Sequence, residues 1–525
     1  MAMGKTRRLG SLILALGIAA TIAVGAPAGA VGVCADAEHA GGDWPSLNGT
    51  NANTRSQDLE TTIGITEASL ISPVWDFTPQ AQDATGQIQS TPVVAEGCVY
   101  ITTASGFVFA LNADTGEFVW GKRYEETVAD VCCGGTLFAP AVVDGVAYIN
   151  VSHNPTSSTD GTGPYVLALD SQTGDVLWRS NEVASEDGAY TNSSAVYIDN
   201  GDDDLIFIGI SNPEFDFNQT GGFALVDASR GCDADSVAVC DSPVDGATGG
   251  SIVKRTRTIP DEQYAIGMGG GSIWSTPAID DDLYAYVGTG QPAGWLDNES
   301  EFVNAILKID VDVNRHTFGE IVDVHKGTWD SEVRGDSPVP YVDVDFAASP
   351  TLFEANGQQM VAALQKSGIV HAAFTRHMTE AWSVPVSPYG FFLGNYASGT
   401  TDGNGNYLAH GTFPGQVASL NGTNGMPNWV SAGPTAAGAN PLTFANGVVW
   451  LAAGTGVLHA YDAATGVPVA ARSMSADVGD VCMNAGGGVA IARNTVYAVC
   501  GDAGVGYDTG PTDGASGWIV AYRLG

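Results

Sequence analysis

Two adjacent cysteines, Cys132 and Cys133, are the residues of this 525-residue chain whose type and spacing most clearly suggest chemistry. Their Cα atoms would lie only about 3.8 Å apart across a trans peptide, below the usual range for a disulfide. A bond between them would form a strained small ring. Strain of this kind persists where the surrounding structure enforces it, and such places cluster at functional sites. From the residues alone, three interpretations stay open: a vicinal disulfide, two buried thiols, or two long-range disulfides.

Common metal, haem and nucleotide motifs are absent from the sequence. No Cys-x-x-Cys or Cys-x-x-Cys-His spacing occurs, so neither zinc bound in that way nor covalent haem is supported. The eight histidines form no His-Glu-x-x-His pair, and the glycine-rich run 267–271 lies outside any βαβ unit. The sequence therefore does not predict a dinucleotide site.

A repeated unit must position any functional residues. The segment ALNADTGEFVW at 110–120 recurs as ALDSQTGDVLW at 168–178, and weaker copies continue toward the C-terminus. Each copy predicts a strand, a turn in which Gly116 or Gly174 adopts φ > 0, and a second strand. That strand ends in Trp120 or Trp178, which can pack against the neighbouring unit.

The number and pattern of the units predict the fold. Alternating strands that begin near a proline fit half-buried antiparallel hairpins, and they occur at 90–103, 138–151, 275–290, 348–364 and 440–456. Degenerate units lie at 191–230, 395–430 and 484–523. We therefore predict an all-β, eight-bladed β-propeller with four-stranded antiparallel blades. The regular repeats disfavour the alternatives, a β-sandwich or two domains.

The two ends of the repeated region each lack a partner strand. The segment 70–77 has no partner of its own, and the last unit, at 518–524, has no outer strand. Pairing them would close the ring with an N-terminal strand and remove an exposed sheet edge.

The N-terminus resembles a secretory signal. Lys5, Arg7 and Arg8 precede an apolar run, and the small residues at 28–30 resemble a cleavage site. The alternative is a transmembrane anchor, but the run is short and no later segment could span a bilayer. We expect an exported, periplasmic or extracellular protein with this organisation: signal peptide 1–30, N-terminal extension 31–68 and propeller 69–525.

The charge of the chain is strongly negative. The formal net charge is −38, and residues 1–30 contain three cations and no acid, so removing them gives −38 − 3 = −41. This excludes nucleic acid and anionic membrane surfaces as expected partners. A charge this negative suits solubility in salt or attraction of a basic partner. Most of these acidic residues are explained simply as a solvated surface.

Export permits disulfides. Cys232 and Cys240 bracket a short polar loop, and Cys482 and Cys500 flank a hairpin-like unit, so we predict these two bridges. Besides the adjacent pair, Cys34 and Cys98 are left without an assignment.

The chain resembles the quinoprotein alcohol dehydrogenases, and within them the polyvinyl-alcohol-dehydrogenase-like branch. The resemblance covers nearly all of the chain after the signal. It is carried by the opening DWPSLNGTNANTR at 43–55, by residues 345–372 and by the closing GWIVAYRL at 517–524. It implies an eight-bladed propeller that binds pyrroloquinoline quinone (PQQ) and Ca²⁺ on its axis.

The resemblance implies a set of cofactor-binding residues. Cys132 and Cys133 occupy the place of a vicinal disulfide that lies against the quinone, and Trp274 fits the tryptophan that stacks on the other face. Lys366 occupies the place of a cation that reaches the quinone oxygens. Ser193, Ser211 and Gln89 complete the implied set. Trp274 could instead be one of the tryptophans that dock neighbouring blades.

The same resemblance implies a calcium site and a catalytic base. Glu214, Gln291 and Asp330 match the three ligand positions, with Gln291 standing where the family often has asparagine. Asp330 follows Trp329, as in the family's Trp-Asp pair, so it is the implied base. Loop acids without a catalytic role are the alternative for Glu214 and Asp330.

Two positions depart from the family pattern. Phe138 stands where the family has an arginine after the cysteine pair, and Gln89 stands where it has a glutamate. These departures predict weaker quinone binding or the use of other groups.

The resemblance implies alcohol oxidation, with secondary and polymeric alcohols among the candidate substrates. Asp330 would take the hydroxyl proton, Ca²⁺ would act as Lewis acid, and Lys366 would stabilise charge on the quinone oxygens. Electrons would pass to a separate acceptor, for which a basic cytochrome c suits the acidic surface. The alternative is a non-catalytic propeller that binds or scaffolds other molecules in the cell envelope.

Overall fold

The chain folds into eight sheets arranged as propeller blades, which confirms the predicted fold. Seven sheets have four antiparallel strands, and one carries a fifth, parallel strand. The computed structural model describes residues 33–34, 39–82, 88, 90–103, 105–124, 138–152, 163–184, 189–201, 203–212, 220–229, 249–293, 300–328, 344–387, 395–411, 415–434, 440–482, 487–501 and 517–525.

The blades follow one another along the chain, and their strands run outward from the axis in sequence order. Ahead of blade 1 come β1 (Ser56–Gln57) and β2 (Ile71–Phe77). Blade 1 contains β3 (Val93–Ala95), β4 (Cys98–Thr102), β5 (Phe107–Asn112) and β6 (Phe118–Arg123), and blade 2 contains β7 (Ala141–Val143), β8 (Val146–Val151), β9 (Tyr165–Asp170) and β10 (Val176–Arg179). Blade 3 contains β11 (Val196–Ile198), β12 (Leu205–Ile210), β13 (Gly222–Asp227) and β14 (Ile252–Arg257), and blade 4 contains β15 (Ala278–Ile279), β16 (Tyr284–Gly288), β17 (Ala305–Asp310) and β18 (Ile321–Lys326).

The second half of the ring repeats this arrangement, and the described helices are short. Blade 5 contains β19 (Thr351–Ala355), β20 (Gln358–Leu364), β21 (Ile369–Phe374) and β22 (Glu380–Pro385), and blade 6 contains β23 (Thr400–Thr401), β24 (Asn406–Gly411), β25 (Gln416–Asn421) and β26 (Pro427–Ala432). Blade 7 contains β27 (Thr443–Ala445), β28 (Val448–Ala453), β29 (Val457–Asp462) and β30 (Pro468–Ser473), and blade 8 contains β31 (Val489–Ala492), β32 (Thr495–Cys500) and β33 (Trp518–Leu524). The helices are Asp261–Tyr264, Met474–Val478 and the 3₁₀ turn Pro79–Gln82.

Burial differs between inner and outer strands. Every residue of β8, β12 and β28 is buried, whereas β14 alternates between half-buried and exposed residues. The sequence pattern predicted half-buried strands throughout. Because each blade packs between two others, both faces of these inner strands are covered, whereas the outer strand β14 keeps the alternation.

Tryptophans within four of the outer strands dock a blade onto the next one. Trp120 Nε1 donates to the Ser171 carbonyl at 3.0 Å, and Trp178 Nε1 donates to the Ser229 carbonyl at 3.1 Å. Trp382 and Trp429 make the same kind of contact farther along the chain. The turn glycines adopt φ of +70° at Gly116 and +68° at Gly174, as predicted.

A side chain at Gly174 is expected to destabilise the fold by two separate effects. Any Cβ there costs about 1–2 kcal/mol because φ is left-handed, and it would lie 2.6 Å from Trp120 Cε3. Gly403 is the matched control, since it has φ of +69° and nothing within 4 Å of a built Cβ. We expect Gly174→Ala to cost about 1–3 kcal/mol more than Gly403→Ala. Equal urea midpoints, followed by tryptophan fluorescence, would contradict the docking role.

The ring closes as predicted. β2 supplies the outer strand of blade 8 by pairing antiparallel with β33, from Ile71 opposite Leu524 to Phe77 opposite Ile519. The last sheet therefore joins strands from both ends of the chain.

Residues 43–57, which we term the crossing segment, contact every blade. First strands of neighbouring blades contact one another, for example β3 with β7 and β27 with β31, and the crossing segment hydrogen-bonds to the first strand of every blade. The partners in blades 1 to 8 are, in order, Val94, Val142, Tyr197, Ile279, Leu352, Thr401, Phe444 and Ile491.

Arg55 anchors the crossing segment. Its guanidinium is buried and makes six hydrogen bonds, all to neutral oxygens. The guanidinium carbon also lies 5.6 Å from the centroid of the Trp44 ring. Burial lowers the pKa of Arg55 to about 9, and the surrounding carbonyl and hydroxyl oxygens compensate the charged group for its lost hydration.

Two disulfides lie within the described residues. Cys482–Cys500 confirms the predicted bridge, with Cα atoms 5.5 Å apart. Cys34 pairs with Cys98, a bridge that the sequence left unassigned, with Cα atoms 5.1 Å apart. Cys132, Cys133, Cys232 and Cys240 lie outside the described residues.

The described helices are too short to cross a bilayer. Within the part of the chain that the structure describes, none is long and apolar enough to form a membrane span.

Candidate functional site

Five of the predicted site residues lie at the same end of the inner hairpins. The first and second strands of a blade are antiparallel, so residues before the first strand and after the second meet at one edge. Ser193 and Ser211 flank β11 and β12 of blade 3 in this way, and Trp274 and Gln291 flank β15 and β16 of blade 4. Lys366 follows β20 of blade 5.

Trp274 and Lys366 are in direct contact although they come from different blades. The Lys366 ammonium lies 4.4 Å from the centroid of the Trp274 ring and 5.3 Å from that of Tyr396. Its Nζ also lies 3.2 Å from Asp345 Oδ2. Lys366 is 3% exposed and Asp345 is fully buried. A buried cation is thus held against an indole ring by a buried carboxylate and aromatic faces.

Both serines hydrogen-bond to the backbone, and Ser211 does so next to Trp274. Ser193 Oγ accepts a hydrogen bond from the Gly209 amide of its own blade at 2.8 Å. Ser211 Oγ donates to the carbonyl of Ile273, the neighbour of Trp274, at 3.1 Å. Ser211 therefore helps to fix the backbone that carries the indole.

Gln291 directly follows a glycine that lies against the same indole. Its carbonyl accepts a hydrogen bond from the Gly271 amide at 3.0 Å, and its side chain is buried. At the preceding position, Gly290, a Cβ would come within 3.1 Å of Trp274 Nε1. A glycine there leaves room around the indole nitrogen.

Trp274 differs from the docking tryptophans. Those residues lie within outer strands and donate to a carbonyl of the next blade, whereas Trp274 precedes an innermost strand. Its Nε1 is buried, and among the described residues it has no hydrogen-bond partner. The geometry therefore disfavours blade docking as the role of this tryptophan.

Asn192 adds further unsatisfied polar atoms at this end of blade 3. The residue precedes Ser193 and is buried, and neither its amide oxygen nor its amide nitrogen has a partner within the described part of the chain. Buried polar atoms without partners are costly and indicate a missing ligand or water. Asn192 and Trp274 thus present polar groups that a bound molecule could satisfy.

Five other predicted residues lie outside the described part of the chain. They are Gln89, Cys132, Cys133, Glu214 and Asp330. Of the predicted metal ligands, Gln291 alone falls within it, and the vicinal pairing of the cysteines stays a prediction. Phe138, the position that departs from the family pattern, is half-buried.

Sequence reasoning missed Asn192, Asp345 and Tyr396 as residues of this region. Asp345 and Tyr396 come shortly before the first strands of blades 5 and 6, as Trp274 does for blade 4. Their position shortly before a strand that begins near a proline was therefore a sequence signal that could have identified these two residues.

Comparisons with known proteins agree with this architecture. A family model described as outer membrane protein assembly factor BamB matches residues 71–256. Quinohemoprotein alcohol dehydrogenase ADH-IIG of Pseudomonas putida is 24% identical over 325 residues, covering 59% of this chain and 42% of that protein. Polyvinylalcohol dehydrogenase of a Sphingopyxis species is 26% identical over 329 residues, covering 59% and 46%. A europium-containing methanol dehydrogenase superposes with a TM-score of 0.67 at 14% identity, covering 92% of this chain and 98% of that one.

The chain is similar in sequence to quinoprotein alcohol dehydrogenases. The identities among these relatives run from 24% to 27%. Polyvinylalcohol dehydrogenase is one of several relatives at comparable identity, so the branch within the group stays a prediction. The matching part spans about two fifths of the length of the first of these curated relatives.

Proposed function

We propose that this chain oxidises an alcohol by means of PQQ and Ca²⁺ bound at the end of the axis where Trp274 and Lys366 meet. The observation that carries the proposal is the contact of the buried Lys366 ammonium with the Trp274 ring at 4.4 Å. The relatives named as quinoprotein and quinohemoprotein alcohol dehydrogenases support the reaction class.

The described residues fit a planar, anionic cofactor. Trp274 offers a ring for stacking, and Lys366 offers a buried cation. Asn192 and Trp274 offer polar atoms that lack partners among the described residues. Cys132 and Cys133 would provide the opposite wall, and Ser193, Ser211 and Gln89 would line the site.

The chemistry divides between the cofactors and the chain. When bound, the quinone would supply a two-electron acceptor and Ca²⁺ would supply Lewis acidity. Asp330 would accept the proton of the substrate hydroxyl on its carboxylate. Lys366, fixed by Asp345, would stabilise negative charge that develops beside it, and burial strengthens that effect by excluding water.

The proposed metal ligands are Glu214, Gln291 and Asp330. Gln291 is buried in blade 4 and directly follows Gly290, which lies against the predicted quinone-stacking residue. Carboxylate and amide oxygens are the ligands that Ca²⁺ prefers, so this set suits calcium. A lanthanide would also accept an all-oxygen set, and one of the relatives is named lanthanide-dependent methanol dehydrogenase.

We also propose export to the periplasm or the cell exterior and transfer of electrons to a separate acceptor. Export is supported by the disulfides Cys34–Cys98 and Cys482–Cys500, since such bonds persist in oxidising compartments. The net charge of −38 favours a basic acceptor such as a cytochrome c.

A non-catalytic envelope scaffold is the second candidate function. The match of residues 71–256 to the BamB family model favours it. A scaffold needs the blades but not the buried Lys366–Trp274 contact, so this contact favours the enzyme.

Reconstitution tests the two functions directly. The purified protein is titrated with PQQ in the presence of Ca²⁺, and its absorption spectrum and dye reduction are followed with primary, secondary and polymeric alcohols. Quinone binding together with alcohol-dependent dye reduction supports the enzyme. Failure to bind quinone or to reduce dye with any alcohol would favour the scaffold.

Removing the indole is expected to weaken quinone binding before it affects turnover. Trp274→Ala removes one wall of the proposed stack, and the lost aromatic contact should lower PQQ affinity about 10- to 100-fold. Excess PQQ should then restore much of the dye-reduction rate. Trp274→Phe is the control because it keeps an aromatic face. Unchanged PQQ affinity in Trp274→Ala would contradict the stacking role.

A further inference from the structure

A cluster of possible metal ligands lies between blades 4 and 5, outside the proposed cofactor site. His325 belongs to β18, the outer strand of blade 4, and His371 belongs to β21 of blade 5. Glu380 begins β22, the outer strand of blade 5. One ligand atom from each lies within 4.8 Å of the others. Both histidines are buried, while Glu380 is exposed, so a cation could enter from solvent.

His325 has a buried ring nitrogen that a metal ion could use. The residue is 5% exposed, and its Nε2 has no hydrogen-bond partner among the described residues. A buried polar atom without a partner is costly and indicates a missing ligand or water. Coordination of a cation would satisfy this nitrogen.

His371 is oriented in a complementary way. Its Nε2 lies 3.1 Å from the Thr328 hydroxyl and 3.2 Å from Gln365 Oε1. Because an amide oxygen can only accept, the contact with Gln365 assigns the ring proton to Nε2. Its Nδ1 lies 3.3 Å from Ser383 Oγ, and the same hydroxyl donates to Glu380 Oε2 at 2.8 Å. The free lone pair of His371 therefore faces the side on which Glu380 lies.

The orientation of Gln365 is itself fixed. Its Oε1 accepts from the Thr328 amide at 3.2 Å and from Ser367 Oγ at 2.6 Å, and its Nε2 donates to the Thr328 carbonyl at 3.0 Å. These bonds hold the amide oxygen toward His371. His371 thus has an outer partner, Gln365, that orients its ring.

The donor set selects the class of cation. Two imidazole nitrogens and one carboxylate are typical of Zn²⁺ with an open fourth position, whereas Ca²⁺ and Mg²⁺ require oxygen ligands. Tetrahedral zinc with bonds of about 2.0–2.1 Å places its ligands about 3.3 Å apart. The three ligand atoms lie within 4.8 Å of one another, so a bound ion would draw them closer together, and the exposed Glu380 has the most freedom to move.

We propose that His325, His371 and Glu380 bind one Zn²⁺-type cation that braces blade 4 against blade 5. The inference is independent of the proposed quinone chemistry, because its residues and its ligand class differ from those of the axial site. Its expected consequence is zinc-dependent thermal stability of the full chain.

Isothermal titration of chelator-treated protein with ZnCl₂, in saturating Ca²⁺ and without PQQ, tests the site. We expect one strong site in the wild type, and Glu380→Gln should bind at least about 100-fold more weakly, since loss of an outer-shell partner alone costs 10- to 100-fold. Glu354→Gln is the matched control, because Glu354 is also exposed and lies on blade 5. Equal zinc affinity in the two variants would show binding to surface acids and overturn the proposal.

Thermal unfolding separates a ligand role from a packing role. His325→Phe keeps an aromatic ring in the buried position, so without zinc it should unfold at the wild-type temperature or above. Added Zn²⁺ should raise the unfolding temperature of the wild type and of Glu354→Gln, but not that of His325→Phe. An equal zinc-induced shift in all three proteins, or no shift in the wild type, would refute the site.

Discussion

Replacing Asp330 with asparagine is expected to lower alcohol-dependent dye reduction about 100- to 10,000-fold while PQQ still binds. The substitution keeps the shape of the side chain and an oxygen that can reach a cation, but the amide cannot accept the hydroxyl proton. Turnover should therefore fall while the affinity for the quinone stays close to that of the wild type. The measurement combines steady-state dye reduction with a PQQ titration followed by absorption.

Asp281→Asn provides the matched control. Asp281 is exposed in the turn between β15 and β16 of blade 4, so the same change of charge occurs away from the proposed chemistry. Its turnover should equal that of the wild type. Full turnover in Asp330→Asn with quinone bound would move the role of base to another residue and leave the cofactor proposal standing.

Lys366→Met is expected to cost about 3–5 kcal/mol of stability, because it leaves the buried Asp345 carboxylate without this cation. The variant also loses the ammonium that contacts the Trp274 ring. Turnover per folded, quinone-loaded molecule should fall about 100- to 1,000-fold if the ammonium stabilises developing charge. Urea unfolding and dye reduction measure the two effects separately.

A double variant distinguishes stability from chemistry. Lys366→Met with Asp345→Leu removes both buried charges, and it should regain most of the lost stability because apolar replacements of a buried pair are tolerated. Its turnover should stay low. Recovery of turnover along with stability would show that Lys366 has only a structural role.

Lys308→Met is the control for loss of a buried lysine. Lys308 is also buried, its Nζ lies 3.9 Å from the centroid of the Tyr284 ring, and it donates to the Thr375 carbonyl. It lies on β17, away from the inner edge of the blade. This variant should lose stability without losing turnover per folded molecule.

The fold was largely predictable because its signals are local. Gly174 and Trp120 lie within the repeated segments, and the contact between them is remade from one blade to the next. The closure of the ring was predictable because 70–77 and 518–524 each lacked a partner. The number of repeats and the missing partner strand at each end were sufficient to predict the eight-bladed ring and its closure.

The residues around the candidate site were only partly predictable. Trp274 and Lys366 came from a resemblance, but Asp345 pairs with Lys366 across 21 residues and separate loops. No periodicity marks such a pair. Cys34 and Cys98 are separated by 64 residues, and cysteine spacing alone does not fix connectivity. His325 and His371 approach only because neighbouring blades pack face to face.

The crossing segment imposes an order on the assembly of the chain. It precedes every blade in the sequence, yet Gln57 bonds to Ile491, 434 residues later. During synthesis it therefore emerges long before its last partners exist. Its buried donors, including those of Arg55, cannot all be satisfied until blade 8 is complete, and β2 likewise waits for β33. Docking of this segment and closure of the ring are thus late folding events, and a chain shortened before blade 8 would keep the segment exposed to proteases and to aggregation.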